Sequence, residues 1–150
     1  MLGFDYNLLS FKEYHISEII LNPNLMTMAR SLTLHPCSGM NAALDLYYSW
    51  IDMGVDIKDI NVHATFAYYN NISIGWVLYT YEMDGFEFVP ENGEACIQVY
   101  VHPLFRRRGI GKALCNKVII NCNNLVKAYS YSSPEFFLSL MKETDKIIAI

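Results

Sequence analysis

The fold of this chain is decided by the stretch Cys96–Leu114, whose sequence is CIQVYVHPLFRRRGIGKAL. A strand rich in β-branched residues is followed by three arginines, two glycines one residue apart and the start of an amphipathic helix. Successive amides at a helix N-terminus converge on an anion, and the helix dipole and cationic side chains add to the attraction. Gly109 and Gly111 have no Cβ, so a ligand can approach the main chain closely. The stretch therefore predicts a phosphate-binding loop.

Two widespread phosphate loops do not fit this stretch. The dinucleotide-binding pattern G-x-G-x-x-G needs a third glycine where Leu114 stands. The P-loop pattern G-x-x-x-x-G-K-[ST] is matched by Gly111 and Lys112 only. Arg106 stands in place of its first glycine, and Ala113 stands in place of its hydroxyl residue.

The remaining pattern, Arg106-x-x-Gly109-x-Gly111, resembles the [QR]-x-x-G-x-[GA] signature of the GNAT family of N-acetyltransferases. In that family the loop binds the pyrophosphate of acetyl-coenzyme A (acetyl-CoA), so the resemblance implies acetyl-CoA as acyl donor. It also implies that the pantetheine arm bonds to the main chain of the strand before the loop. The implied cofactor-binding residues are Val99, Tyr100, Val101, Arg106, Arg107, Arg108, Gly109, Ile110, Gly111, Lys112, Ala113 and Ser133.

The composition indicates one folded domain over residues 1–150. Hydrophobic residues make up 53% of the chain and charged residues 17%, which argues against disorder. The net charge of −4 argues against a nucleic-acid partner, because such binders show a broad basic surface.

The cysteines have no C-x-x-C spacing, so we expect reduced thiols and a cytoplasmic protein, and Cys115 and Cys122 are expected to be buried. No metal-ligand spacing and no apolar run of about 20 residues occurs, so neither a metal site nor a membrane span is expected.

Hydrophobic periodicity predicts alternating strands and helices along the chain. Asn70-Asn71 separates two strands and predicts a tight hairpin turn, because both residues tolerate positive φ. The predicted order resembles the α+β GNAT fold, a mixed central sheet flanked by helices. The predicted strands are 4–9, 62–69, 72–81, 95–101, 125–131 and 147–150, and the predicted helices are 16–21, 25–34, 42–53, 109–121 and 134–142.

The resemblance also implies a direct reaction, in which a neutral primary amine attacks the thioester and the Val99 amide stabilises the oxyanion. Many relatives carry a general base where Ala95 and Ile97 stand, so Glu94 is the nearest candidate carboxylate. Tyr131 and Ser139 are candidate acids for the leaving thiolate, although packing on the sheet is an alternative role for the tyrosine.

Several alternatives stay open at this stage. A catalytically inactive CoA-binding sensor or interaction module fits the apolar positions near Glu94. Transfer of another acyl or carboxymethyl-type group fits the same loop. The amine acceptor is a small molecule or a protein amine. Family members usually continue into a further strand near the acceptor, so completion of this wall by a second subunit in a homodimer is one more alternative.

Overall fold

The structure, a computed structural model, describes residues 3–32, 40–80, 95–122, 126–128 and 134–149. A six-stranded mixed sheet runs through this part of the chain, and its strands are in sequence order. The first four strands are antiparallel, whereas the last two lie parallel to the fourth. The strands are β1 (Leu9–His15), β2 (Val62–Tyr69), β3 (Ile72–Thr80), β4 (Ala95–Val101), β5 (Val126–Ala128) and β6 (Ile147–Ala149).

Five helices are described, and they cover the two faces of the sheet. One buried cluster joins the first three helices to Phe66, Trp76 and Leu78 of the sheet. A second cluster joins the last two helices to Val77 and Ile97 on the opposite face. The helices are α1 (Ile16–Ile20), α2 (Pro23–Ser31), α3 (Met40–Asp52), α4 (Ile110–Asn121) and α5 (Pro134–Met141). The predicted α+β architecture is confirmed.

Local sequence explains where several elements begin. The Asn22 side chain accepts from the amides of Asn24 and Leu25, and Pro23 follows at the first helical position of α2. The Asn70-Asn71 turn has φ values of 49° and 66°, which are the left-handed values that a two-residue hairpin requires. The predicted hairpin is therefore confirmed.

One predicted strand is wrong. Residues 4–9 were expected to be extended, but Tyr6–Leu8 forms a single 3-10 turn and β1 starts only at Leu9. The cause is local, since the Asp5 side chain accepts from the Asn7 amide at 2.9 Å and caps the turn. β1 then runs from Leu9 to His15, into a stretch for which no strand was predicted.

The three described cysteines lie in the interior of the protein. Cys96, Cys115 and Cys122 are all buried, and burial raises the pKa of the Cys115 thiol to about 12. Cys115 and Cys122 pack in the core below α4, as predicted. Within the described ranges, no helix has the length and hydropathy that crossing a bilayer would demand.

Candidate functional site

Among the described residues, strand β4 has one edge that is unpaired along part of its length. It pairs with β3 from Cys96 to Val101, and with the described part of β5 from Ala95 to Ile97. Just after β4, the His102 amide donates to the Ile74 carbonyl of β3 at 2.7 Å. This bond shows which residues of β4 direct their backbone groups toward β3. Because alternate residues of an antiparallel strand bond to the same neighbour, Val99 and Val101 direct their amides and carbonyls away from β3. These groups face the open side.

Arg106 occupies part of that open edge. Its Nε donates to the Val101 carbonyl at 2.8 Å, and its guanidinium lies 5.7 Å from the centre of the Tyr100 ring. The predicted phosphate ligand Arg106 thus turns back onto β4. The Val101 carbonyl has a partner, so among the described residues the main chain of Val99 is the part of the edge most available to a pantetheine arm.

The loop after β4 changes direction through two residues in the left-handed region. Arg107 has a φ of 63° and Gly109 a φ of 80°, and α4 begins directly afterwards. For arginine this conformation is strained, whereas glycine adopts it readily. In the described ranges, no heavy atom outside the adjoining residues lies within 4 Å of an ideal Cβ built on Gly109, so the space beside its main chain is open there.

The first turn of α4 supplies amides without a capping side chain. Gly109 is the N-cap and contributes no side-chain hydrogen bond. Ala113 is the residue whose amide first bonds back into the turn, at 2.9 Å from the Gly109 carbonyl. The amides of Ile110, Gly111 and Lys112 precede it and point out of the helix end, where the dipole favours an anion. The Ala113 amide, predicted to bind the cofactor, is already bonded within the helix and is not available to a ligand.

Gly111 is where three elements meet. An ideal Cβ at this residue would lie 3.3 Å from the Phe136 ring on α5 and 3.6 Å from a methyl of Val101 on β4. The lack of a side chain therefore lets the start of α4 approach both neighbours. Sequence spacing gave no signal for Phe136, because its contact with Gly111 joins distant parts of the chain.

The charged side chains around the loop have different partners. Arg107 is exposed. The Lys112 ammonium lies 2.6 Å from the Glu143 carboxylate in a half-exposed pair. The Arg108 guanidinium lies 5.1 Å from the centre of the Phe4 ring, and the Tyr6 hydroxyl donates to the Arg108 carbonyl at 3.2 Å. The loop combines main-chain amides with a local cationic charge in an acidic chain.

Comparison with known proteins identifies the chain. The sequence model of the acetyltransferase (GNAT) family matches residues 31–149. The protein is a member of the GNAT family. This family uses acetyl-CoA as its acyl donor, and the match covers β4, the phosphate loop and α4. A search among curated proteins finds no match to the sequence.

Solved structures share the fold at low sequence identity. The aminoglycoside N-acetyltransferase AAC(6')-Iy in complex with CoA is 13% identical, with a TM-score of 0.53 over 90% of this chain and 85% of that chain. YncA of Salmonella typhimurium, solved with its cofactor acetyl-CoA, is 16% identical, with a TM-score of 0.52 over 91% and 78%. A ribosomal-protein-alanine N-acetyltransferase from Brucella melitensis is 15% identical, with a TM-score of 0.50 over 90% of both chains.

The structure describes only some of the predicted catalytic and cofactor-binding side chains of this GNAT protein. Glu94, Tyr131 and the predicted cofactor ligand Ser133 lie outside the described residues. Ser139 is exposed on α5, one turn after Phe136. Tyr100 stacks on Trp76 with ring centres 6.1 Å apart, on the face opposite Val99. The roles of these residues remain predictions.

A titratable cluster that sequence analysis missed lies at the same end of the sheet as the start of β4. Sheet register aligns His15, His63, Tyr79 and Ile97 across four strands. The Tyr79 hydroxyl donates to the Glu13 carboxylate, whose other oxygen lies 3.7 Å from His63 Nδ1. Burial lowers the pKa of His63, and the Glu13 carboxylate partly opposes that shift. Only strand register brings these groups together, so residue spacing gave no sign of them.

Proposed function

We propose that this protein transfers an acetyl group from acetyl-CoA to a primary amine. One observation carries the proposal: in the described part of the chain, the main chain of Val99 has no partner strand on one side, and the loop after this strand ends in a helix start whose N-cap makes no side-chain hydrogen bond. A donor with an amide-bearing arm followed by a diphosphate needs both features in this order. Family membership, and the CoA and acetyl-CoA in the AAC(6')-Iy and YncA structures, support the same donor.

The residues present fit the donor. The amides of Ile110, Gly111 and Lys112 would hold the diphosphate, and the open space beside Gly109 allows close approach. The exposed Arg107 adds positive charge near the same helix end. A surface arginine contributes about 1 kcal/mol or less, so we assign most of the binding to the main chain.

The chemistry follows from the direction of the main-chain groups. When bound, acetyl-CoA supplies an acyl thioester whose carbonyl carbon a neutral amine can attack. The Val99 amide points to the open edge of β4 and would donate to the oxyanion that develops there. We propose that Glu94 accepts the amine proton and that Tyr131 or Ser139 protonates the leaving thiolate.

Binding and turnover can be tested separately. Calorimetric titration with CoA and acetyl-CoA, with NAD as control, tests the donor site. Ligand at about a thousandfold excess over Kd should raise the free energy of unfolding by about 4 kcal/mol. Binding of neither CoA form would refute the proposed donor.

Release of free thiol across a panel of amines then tests catalysis. We expect thiol release above the rate of hydrolysis with at least one primary amine from the small-molecule, polyamine and N-terminal peptide classes. Tight CoA binding without release on any of these classes would instead support the non-catalytic CoA sensor.

A further inference from the structure

We propose that Phe4 and Tyr6 are positioning residues that set the phosphate loop for the diphosphate of CoA. They belong to the segment of residues 3–8 before β1, which precedes the region matched by the family. The inference rests on the proposed function, since it concerns how that donor site is held in shape. Both residues contact Arg108, one through the main chain and one through the side chain.

The main-chain contact fixes the direction of one peptide group. The Tyr6 hydroxyl donates to the Arg108 carbonyl at 3.2 Å. That carbonyl and the Gly109 amide belong to the same planar trans peptide, so they point in opposite directions. With the carbonyl held toward Tyr6, the Gly109 amide points to the side away from it. Because glycine accepts both signs of φ, this peptide is otherwise easy to turn over.

The side-chain contact restrains the arginine. The Arg108 guanidinium lies 5.1 Å from the centre of the Phe4 ring, within the range of a cation–π interaction. Among the described residues, its Nε is buried without a hydrogen-bond partner. A buried donor without a partner raises the free energy of the folded protein, so this placement depends on the ring contact. The Phe4 ring therefore restrains Arg108 beside the loop, where its positive charge favours an anionic ligand.

The Phe4 ring packs between strand β2 and the phosphate loop. It stacks on Tyr69 of β2, with centres 4.5 Å apart and planes 24° apart. It also meets Phe105 edge-on at 6.3 Å, and Phe105 precedes the arginine triplet directly. The Tyr69 hydroxyl accepts from the Asp5 amide at 3.1 Å, which ties the same segment to β2. The aromatic contacts thus connect the loop to the sheet independently of α4.

Two substitutions test this role. Tyr6→Phe removes the hydrogen bond to Arg108 from a largely exposed side chain, and Phe4→Leu removes the ring below the guanidinium. Tyr48→Phe is the matched control, because Tyr48 is also exposed but lies on α3. We expect the Kd for CoA to rise about three- to tenfold in both loop variants, because the loop is less preorganised, and to stay unchanged in the control.

A second donor separates loop positioning from general damage. S-acetyl-pantetheine lacks the nucleotide and its diphosphate, so its KM should be the same in wild type and in both loop variants. An unchanged Kd for CoA in both variants, or an equal loss with both donors, would overturn the inference while the proposed function stands. A wild-type protein that binds no CoA would overturn both.

Discussion

Gly75 lies directly opposite Val101, and a Cβ on Gly75 would come within 2.7 Å of the Tyr100 carbonyl oxygen. Real Cβ atoms do not approach a backbone atom this closely, so a side chain at this position would force β3 and β4 to shift at their last pair. The same end of β4 carries Val99 and leads into the phosphate loop. The geometry of the proposed donor site therefore depends on a contact on the opposite edge of the strand.

We predict that Gly75→Ala lowers the free energy of unfolding by about 1–3 kcal/mol, because the added methyl must displace a backbone carbonyl. Urea denaturation followed by fluorescence measures the change. Gly3→Ala is the control, since no atom lies within 4 Å of a Cβ there and its φ is not positive. Equal stability of the two variants would contradict the close approach.

Gly109 and Gly54 provide a matched pair for testing the donor site. Both have positive φ, 80° and 85°, and in the part of the chain that the structure describes neither has a heavy atom of a non-adjacent residue within 4 Å of an added Cβ. Alanine at either position should cost a similar 1–2 kcal/mol of stability, because the left-handed conformation is strained. We expect only Gly109→Ala also to weaken CoA binding in calorimetric titration. Parallel losses of affinity in both variants would show that the effect is one of stability alone.

The folded protein should lose stability in mild acid through His63. Burial lowers its pKa below the value of about 6.5 that histidine has in an unfolded chain, so the unfolded state binds more protons in this range. The free energy of unfolding therefore falls as the pH drops from about 7 through the lowered pKa. We predict that His63→Gln makes this pH dependence shallower in urea titrations between pH 7 and pH 5.

We predict that Glu13→Gln makes the free energy of unfolding depend more strongly on pH than in wild type. The Glu13 carboxylate raises the pKa of His63 against the effect of burial, so its removal lowers that pKa further. The total loss of stability on acidification should then be larger than in wild type. A steeper profile for Glu13→Gln beside a shallower one for His63→Gln would identify the histidine as the group that titrates. Identical profiles for the two variants would rule it out.

The proposed base can be tested by a conservative change. Glu94→Gln removes the proton acceptor while keeping the shape of the side chain, so kcat for amine acetylation should fall by about 10²-fold or more. Glu87→Gln, in the same part of the sequence, is the control. The Kd for CoA should not change in either variant, because the base is proposed to act on the acceptor amine. Wild-type kcat in Glu94→Gln would remove this residue from the mechanism.

Local patterns in the sequence were sufficient for much of the fold. Asn70-Asn71 predicted the hairpin, and the strand, loop and helix around Gly109 were placed correctly because each carries its own local signal. The segment 4–9 has the aromatic and apolar composition of a strand. A single capping hydrogen bond from Asp5 decides its conformation instead, and composition does not reveal such a bond.

The site was only partly predictable, for a physical reason. The amides of the first turn of α4 follow from sequence, since any helix leaves its first amides without internal partners. The contacts of Tyr6 with Arg108, of Phe136 with Gly111 and of Tyr79 with Glu13 join residues far apart in the chain. They depend on strand register and helix packing, neither of which is encoded in the spacing of residues along one element.

The sheet changes from antiparallel to parallel at β4, and this has a consequence for folding. The β2–β3 hairpin is closed by a two-residue turn, whereas β5 and β6 are connected to the sheet through the α4 and α5 crossovers. Local hairpins close faster than long crossovers, because less chain entropy is lost. A ligand that spans the Val99 edge of β4 and the start of α4 would connect the antiparallel part of the sheet to the first crossover helix. Its strongest effect on the protein would then be to slow unfolding.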